Sequence, residues 1–238
     1  ISTNIGARAY YFTSIKELYF DPRLSFSYNL TDDIMLKGSY SVVHRNLHLI
    51  SRNDISLPTD FWFPSNKQIK PSSSNQIIFG TEIQFANKTY IVTLEGYYRD
   101  MKNLLEFKEN ATFDISDSIE DYFTAGEGEA YGAELFINKR VGKLTGWIGY
   151  TLSWTRRQFD ELNLGQIFYP KYDRLHDISI VLTYNINEQL SIGATWVYSS
   201  GQRSTLPIGQ YQFSNFALND RKNYYAYYCE RNGYRLPD

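Results

Sequence analysis

The chain has 238 residues, with 24 Lys and Arg against 26 Asp and Glu, a net charge of −2, so it lacks the basic excess that nucleic-acid binding requires. Its single cysteine, Cys229, excludes an internal disulfide and any all-cysteine metal site. Aromatic residues make up 17% of the chain, 21 tyrosines among them, a heavy load for a soluble domain, and no run of about 18 apolar residues could form a membrane helix. The sequence opens at Ile1 in mid-pattern, without an initiator methionine or signal peptide, which predicts a piece of a longer protein.

Read in steps of two, the sequence separates again and again into an apolar and a polar face, the period of a β-strand. Ile5–Phe12 and Arg23–Tyr28 do so loosely. In the third strand Ile34, Leu36, Gly38, Tyr40 and Val42 alternate with Met35, Lys37, Ser39, Ser41 and Val43. Ile77–Phe85, Tyr90–Arg99 and Tyr131–Asn138 repeat the pattern. It is clearest in 143-KLTGWIGYTLSWTRRQ-158, where Leu144, Gly146, Ile148, Tyr150, Leu152 and Trp154 share one face and hydroxyls, glycine and Trp147 the other. Asp177–Tyr184 and Leu190–Tyr198 complete nine predicted strands, or ten if another begins at Tyr234. No stretch has helical periodicity.

The connections alternate in length. Asn29–Asp33, Ala86–Lys88, Lys139–Lys143 and Asn185–Gln189 are tight polar turns, whereas Arg45–Asn75, Lys102–Glu129, Asp160–Tyr172 and Gln202–Gly233 are long links. One rim of the sheet is therefore trimmed and the other elaborate. Compact soluble domains rarely carry several such links, but outer-membrane barrels have short periplasmic turns and long external loops.

The faces point the same way. Tyr40, Tyr90, Tyr98, Tyr131, Tyr150, Trp154, Tyr184, Trp196 and Tyr198 fall on the apolar face, mostly toward strand ends, where amphipathic rings form the girdle at a lipid–water interface. The opposite face holds Lys37, Glu82, Glu95, Arg99, Glu134 and Asp177, which a sandwich core could not bury unpaired and which suit a wet lumen. A water-soluble sandwich is the competing fold. The expected class is all-β: an antiparallel up-and-down transmembrane β-barrel, present as about nine to ten strands of a larger one.

These segments resemble a family. The stretches 128-GEAYGAELFINKRVGKLTGWIGYTLSWTRRQF-159, 169-YPKYDRLHDISIVLTYNINEQLSIGATWVYSSGQ-202 and 23-RLSFSYNLTDDIMLKGSYSVVHRNLHLIS-51 are similar to the C-terminal half of the barrel of TonB-dependent outer-membrane receptors. The resemblance is greatest to the Bacteroidetes type whose parent chain carries a carboxypeptidase-regulatory-like domain. AYGAEL, GKLTGWIGYTLS, YDRLHD and GATWVYSSGQ carry it most specifically. It implies a barrel of about 22 strands closed around an N-terminal plug, with residues 1–238 a partial barrel domain. By register, the chain would supply about strands 11 to 19 and the start of strand 20.

The implied function is active import across the outer membrane of a nutrient too large or too scarce for porins, such as a siderophore or glycan. The implied partners are the lipid bilayer and lipopolysaccharide, the TonB complex acting through the missing plug, and an unidentified nutrient. Room is left for a surface lipoprotein. No cofactor, catalytic residue or metal site is expected. A passive porin-like or structural outer-membrane barrel is the alternative, and a soluble extracellular β protein a third.

Ligand-binding candidates lie in the predicted loops: Phe61, Trp62 and Phe63 between Pro58 and Pro64, the tyrosines Tyr224, Tyr225, Tyr227 and Tyr228, and Arg156 and Arg157 at the end of a strand. Rigid aromatics stack on sugars or catechols, and arginines pair with anions such as lipopolysaccharide phosphate. Packing of loop on loop is the simpler role for the same rings.

Other features carry less. The Gly126, Gly128 and Gly132 spacing does not fit a dinucleotide loop; small residues that admit a close strand explain it. Asp114, Asp117, Glu120 and Asp121 suit calcium by type, without EF-hand spacing. His44 and His48 flank Arg45 in a predicted loop. In 172-YDRLHD-177, an ion-pair network at the rim explains the charges better than a hydrolase triad, which needs an oriented nucleophile and an oxyanion hole. The sequons at Asn29, Asn87 and Asn110 carry little weight, two of them lying in tight turns.

Overall fold

A computed structural model describes residues 1–50, 61–109, 118–213 and 223–237. Nine strands form one antiparallel sheet, each paired with the next in the chain. They are β1 (Ser2–Phe12), β2 (Glu17–Asn29), β3 (Ile34–Arg45), β6 (Ser72–Phe85), β7 (Tyr90–Phe107), β8 (Phe123–Lys139), β9 (Leu144–Gln158), β10 (His176–Asn185) and β11 (Ser191–Ser199). Three two-stranded ladders stand apart: β4 (Leu47–Ile50) with β5 (Phe61–Pro64), β12 (Arg203–Ser204) with β15 (Tyr234–Arg235), and β13 (Pro207–Phe213) with β14 (Asn223–Tyr228). Among the described residues there is no α-helix, only short 3-10 turns such as Ile119–Tyr122.

The sheet is the nine-stranded up-and-down meander that the alternation predicts. The strands run longer than the pattern suggested, however. β2 starts at Glu17 and β7 runs on to Phe107, past a register shift between Met101 and Leu104 where Asn103 takes φ 54°. Such a bulge bends a strand without ending it, and the break in alternation at Lys102 and Asn103 hid the continuation. No tenth strand joins the sheet at Tyr234. That residue pairs with Ser204 in the separate β12–β15 ladder, a correction to the sequence reading.

Register aligns like with like across the sheet. Ile5, Leu24, Tyr40, Ile77, Tyr98, Tyr131 and Trp154 form one continuous cross-strand row. Nearer the trimmed rim, Ile34, Ile83, Val92, Ile137, Ile148, Ile180 and Trp196 form a second row on the same face. On the opposite face runs Ser27, Lys37, Gly80, Glu95, Glu134, Thr151, Asp177 and Ser199. Alternation in the sequence thus becomes two chemically distinct surfaces.

Among the described residues nothing covers the apolar surface. Phe79 is 57% exposed, Leu94 51% and Trp196 53%, whereas a soluble sandwich would bury such residues against a second sheet. Rings bracket the aliphatic band. Near the trimmed rim Phe85 stacks on Tyr90 at 5.0 Å, and nearer the other rim Tyr131 stacks on Trp154 at 5.4 Å. Tyr90 and Tyr98 of β7 lie eight residues apart, roughly 26 Å along a strand and about 20 Å along the membrane normal at a tilt near 40°. That approaches the height of about 25 Å of an outer-membrane barrel's apolar band.

Glycine is required where strands approach closely. A Cβ on Gly132 would fall 2.4 Å from Leu152 O, and one on Gly126 would fall 2.4 Å from Gln158 O. Close strand approach accounts for both positions.

Candidate functional site

The buried core of the described chain lies where the long links pack against the outer ends of β7 and β8. The link after β3 folds back as the β4–β5 hairpin, which sets Phe63 against Phe123 with ring centroids 5.8 Å apart. Phe123, Ile69, Leu105 and Phe107 complete this cluster. His48 is buried beneath it, its Nε2 at 2.9 Å from the Ser65 hydroxyl. Burial, reinforced by the charge of Arg45, pulls the His48 imidazole below its ordinary pKa. Asn66, just after the hairpin, donates to Glu120 at 2.7 Å and ties it to the link after β7, which the Lys108 amide closes by donating to the Tyr122 carbonyl at 2.9 Å.

A second cluster joins the remaining links. Phe159, Leu162 and Phe168 are buried against Leu104 of β7. Around them Glu106 pairs with Arg157 and with Arg231, the latter at 3.4 Å. Arg157 also donates to the Tyr172 hydroxyl at 2.5 Å. Asp173, 3% exposed, accepts from Arg235 at 2.7 Å, from Arg203 at 3.4 Å and from the Thr155 amide at 3.0 Å. Arg203 lies 4.0 Å over the Tyr169 ring. Two carboxylates, each held by two arginines, therefore fasten the segment around Arg231–Arg235 onto β7, β9 and the link before β10. Hydrogen-bonded buried charges of this kind are costly to break singly. Of the charges in YDRLHD, Asp173 forms ion pairs at the rim, while Asp177 accepts from Ser199.

The predicted residues divide accordingly. Phe63 and Arg157 are engaged in the clusters. Trp62 points the other way from Phe63 and is 59% exposed, and Tyr227 and Tyr228 are 63% and 56% exposed on β14. The side chains of Phe61, Tyr224 and Tyr225 lie outside the described residues, as do Asp114, Asp117 and Asn110. Glu120 is hydrogen-bonded to Ser118 and Asn66, and the Ser118 amide donates to Asp121 at 3.3 Å, so these two carboxylates serve a turn.

The histidines are a correction. Neither lies in a loop: His44 is the next-to-last residue of β3 and His48 belongs to β4. His44 Nδ1 sits 2.6 Å from the fully buried Asp21, whose role the loose pattern of β2 gave no reason to suspect. Among the described residues no group of three or more His, Cys, Asp or Glu side chains could hold a metal ion.

The six charged residues predicted for the opposite face all lie in strands of the sheet, and four of them engage polar partners. Lys37 pairs with Glu82, Arg99 donates to Gln76 at 2.7 Å, and Asp177 accepts from Ser199. Glu95 and Glu134 stand directly opposite each other across β7 and β8.

An antiparallel meander with a ring-bordered apolar face, a charged reverse face, one trimmed rim and one folded rim defines a wall segment of an outer-membrane β-barrel. Residues 2–235 match the family model for the TonB-dependent receptor-like β-barrel. The chain belongs to that family, and its place is the outer membrane.

Solved structures agree in fold. The ferripyoverdine receptor of the outer membrane of Pseudomonas aeruginosa, bound to ferripyoverdine, superimposes with a TM-score of 0.59 at 16% identity, over 95% of this chain and 28% of that one. The siderophore receptor of Acinetobacter baumannii gives 0.58 at 15% identity, over 84% and 31%. The ferric-catecholate import receptor of E. coli K12 gives 0.56 at 16%, over 80% and 26%. The chain thus spans under a third of the length of these receptors. A search of curated proteins by sequence found no match.

Proposed function

We propose that the chain is part of an active transporter that binds a scarce or large nutrient outside the cell and imports it using energy transmitted by TonB. The observation that carries this reading is the family match over residues 2–235. The contrast between the rims supports it, since long links folded around hydrogen-bonded carboxylates make a rigid external platform. In this reading residues 1–238 are a partial barrel domain. Plug and TonB contact belong to the rest of the receptor, and a surface lipoprotein is a further partner to seek. Lys37, Glu82, Glu95, Arg99, Glu134 and Asp177 line a wet lumen. Trp62, Tyr227 and Tyr228 are the first ligand contacts to test, with Phe61, Tyr224 and Tyr225 beside them in sequence. Phe63 and Arg157 act through the platform.

Ferripyoverdine, a siderophore and a ferric catecholate are what the three similar receptors are named for, so iron-carrying chelates are the first ligand class to supply. The test is accumulation of labelled ferric chelate by cells carrying the full-length receptor, with and without a working TonB complex. Uptake that stops when TonB is removed supports the proposal. Uptake that persists, and that scales with external concentration without saturating, would instead favour a passive porin.

A further inference from the structure

The apolar side of the sheet carries, beyond its upper aromatic row, a group of polar side chains that the import reading leaves unused. Asp100, Glu129 and Arg156 are cross-strand neighbours on β7, β8 and β9, and Glu127 and Gln158 form the next pair outward. The first of these rows lies two residues beyond Tyr98, Tyr131 and Trp154 on the same face, about 7 Å further along the strands. Together with Ile167 they line an open cleft of about 240 Å³.

Position and chemistry together restrict the occupant. Aromatic rows of this kind settle at the lipid–water interface, so a cleft just beyond the row, on the lipid-facing side, opens into the headgroup layer and not into the lumen. Tyr98 is 45% exposed there, and its hydroxyl lies 3.4 Å from Glu129. Arg156 sits 3.6 Å from Glu129 and 5.7 Å above the Tyr131 ring. The lining thus holds three carboxylates, Asp100, Glu127 and Glu129, against two arginines, Arg156 and an Arg157 already paired with Glu106, a balance that disfavours a bare phosphate. It does suit a sugar, whose hydroxyls donate to carboxylates and accept from Arg156 and Gln158 while its apolar face lies against the Tyr98 ring. Drug-sized pockets run to about 300–1,000 Å³, so this smaller cleft fits a single ring.

We propose that this cleft binds a sugar ring in the headgroup of an outer-leaflet glycolipid. The inference rests on the outward assignment of the apolar face and does not depend on which nutrient is imported.

The test uses the full-length receptor purified from outer membranes in mild detergent. Native mass spectrometry counts retained glycolipid for the wild type, Tyr98→Ala, Asp100→Asn and the double variant, and heat-modifiable gel migration confirms a folded barrel in each. The wild type is expected to retain glycolipid and the folded double variant to retain about tenfold less, the scale of losing one aromatic contact. Equal retention in all four proteins, or none in the wild type, overturns the proposal. So does loss on adding a chelator with Tyr98→Ala behaving as wild type, which would mark a divalent-cation site. A receptor absent from the outer membrane would sink the wall assignment as well. Normal chelate uptake with cleft-independent glycolipid would sink this proposal alone.

Discussion

Arg156 and Arg157 are adjacent in sequence and serve opposite faces of β9. Arg156 pairs with Glu129 at 3.6 Å beside the Tyr131 ring, both partners being more than a third exposed. Arg157 turns to the other side, where its side chain is 16% exposed and pairs with a Glu106 that is 10% exposed. Strand alternation alone separates them, and burial makes their energetics unequal.

Arg157→Ala removes from the buried Glu106 the shorter of its ion pairs with Arg157 and Arg231. Breaking a buried pair on one side costs on the order of 3 kcal/mol, whereas Arg156→Ala loses an exposed pair worth at most about 1 kcal/mol. Limited proteolysis of the link between β9 and β10 should accelerate strongly for Arg157→Ala and little for Arg156→Ala. Equal protection in the two variants would refute this assignment.

Trp62 and Phe63 form a parallel contrast. Phe63→Ala removes a ring packed on Phe123 and should loosen the β4–β5 hairpin by about 3 kcal/mol. Trp62→Ala should leave the hairpin intact, since Trp62 is largely exposed. If Trp62 touches nutrient, its variant weakens uptake at normal surface levels. Unchanged uptake and ligand affinity would leave Trp62 without a binding role.

The fold was legible because period-two patterning and turn chemistry agree over most strands of the sheet, β1 and β2 only loosely. GKLTGWIGYTLS fixes both the register and the lipid face of β9, and the tight turn Ala86–Lys88 fixes the pairing of β6 with β7. The rim was less legible. Glu106 and Arg231 meet across 125 positions of sequence, and no local period announces such a pair. β7 outruns its pattern because the bulge after Met101 breaks the alternation. His44 and His48 read as loop residues because Arg45 and Asn46 interrupt an apolar face that tertiary pairing with Ser72 and Pro64 restores on either side. Exposed aromatics such as Trp62 and half-buried ones such as Phe63 are equivalent in a sequence, since only what packs against them decides between them.

His48 supplies a pH dependence. Its pKa is lowered in the folded protein, so the unfolded hairpin binds a proton more readily than the folded one. Stability is therefore full above the ordinary imidazole pKa, near 6.5, and falls as pH drops below it. Proteolysis of the link between β3 and β6 should quicken between pH 7.5 and pH 5, after correction for the protease's own pH response. His48→Gln should flatten that dependence. A wild type with a flat profile would contradict the role assigned to the buried His48–Ser65 pair.

The central claim is that the apolar face meets lipid. The most direct measurement is assembly of full-length receptors carrying one arginine at a time, scored by heat-modifiable migration and surface labelling. Ile148→Arg and Leu182→Arg, on the apolar face, should each impair assembly by about 2–4 kcal/mol near the bilayer midplane. Thr151→Arg and Ser179→Arg, at neighbouring heights on the polar face, should assemble near normally. That asymmetry is the predicted result; equal damage on both faces, or greater damage on the polar face, would contradict it.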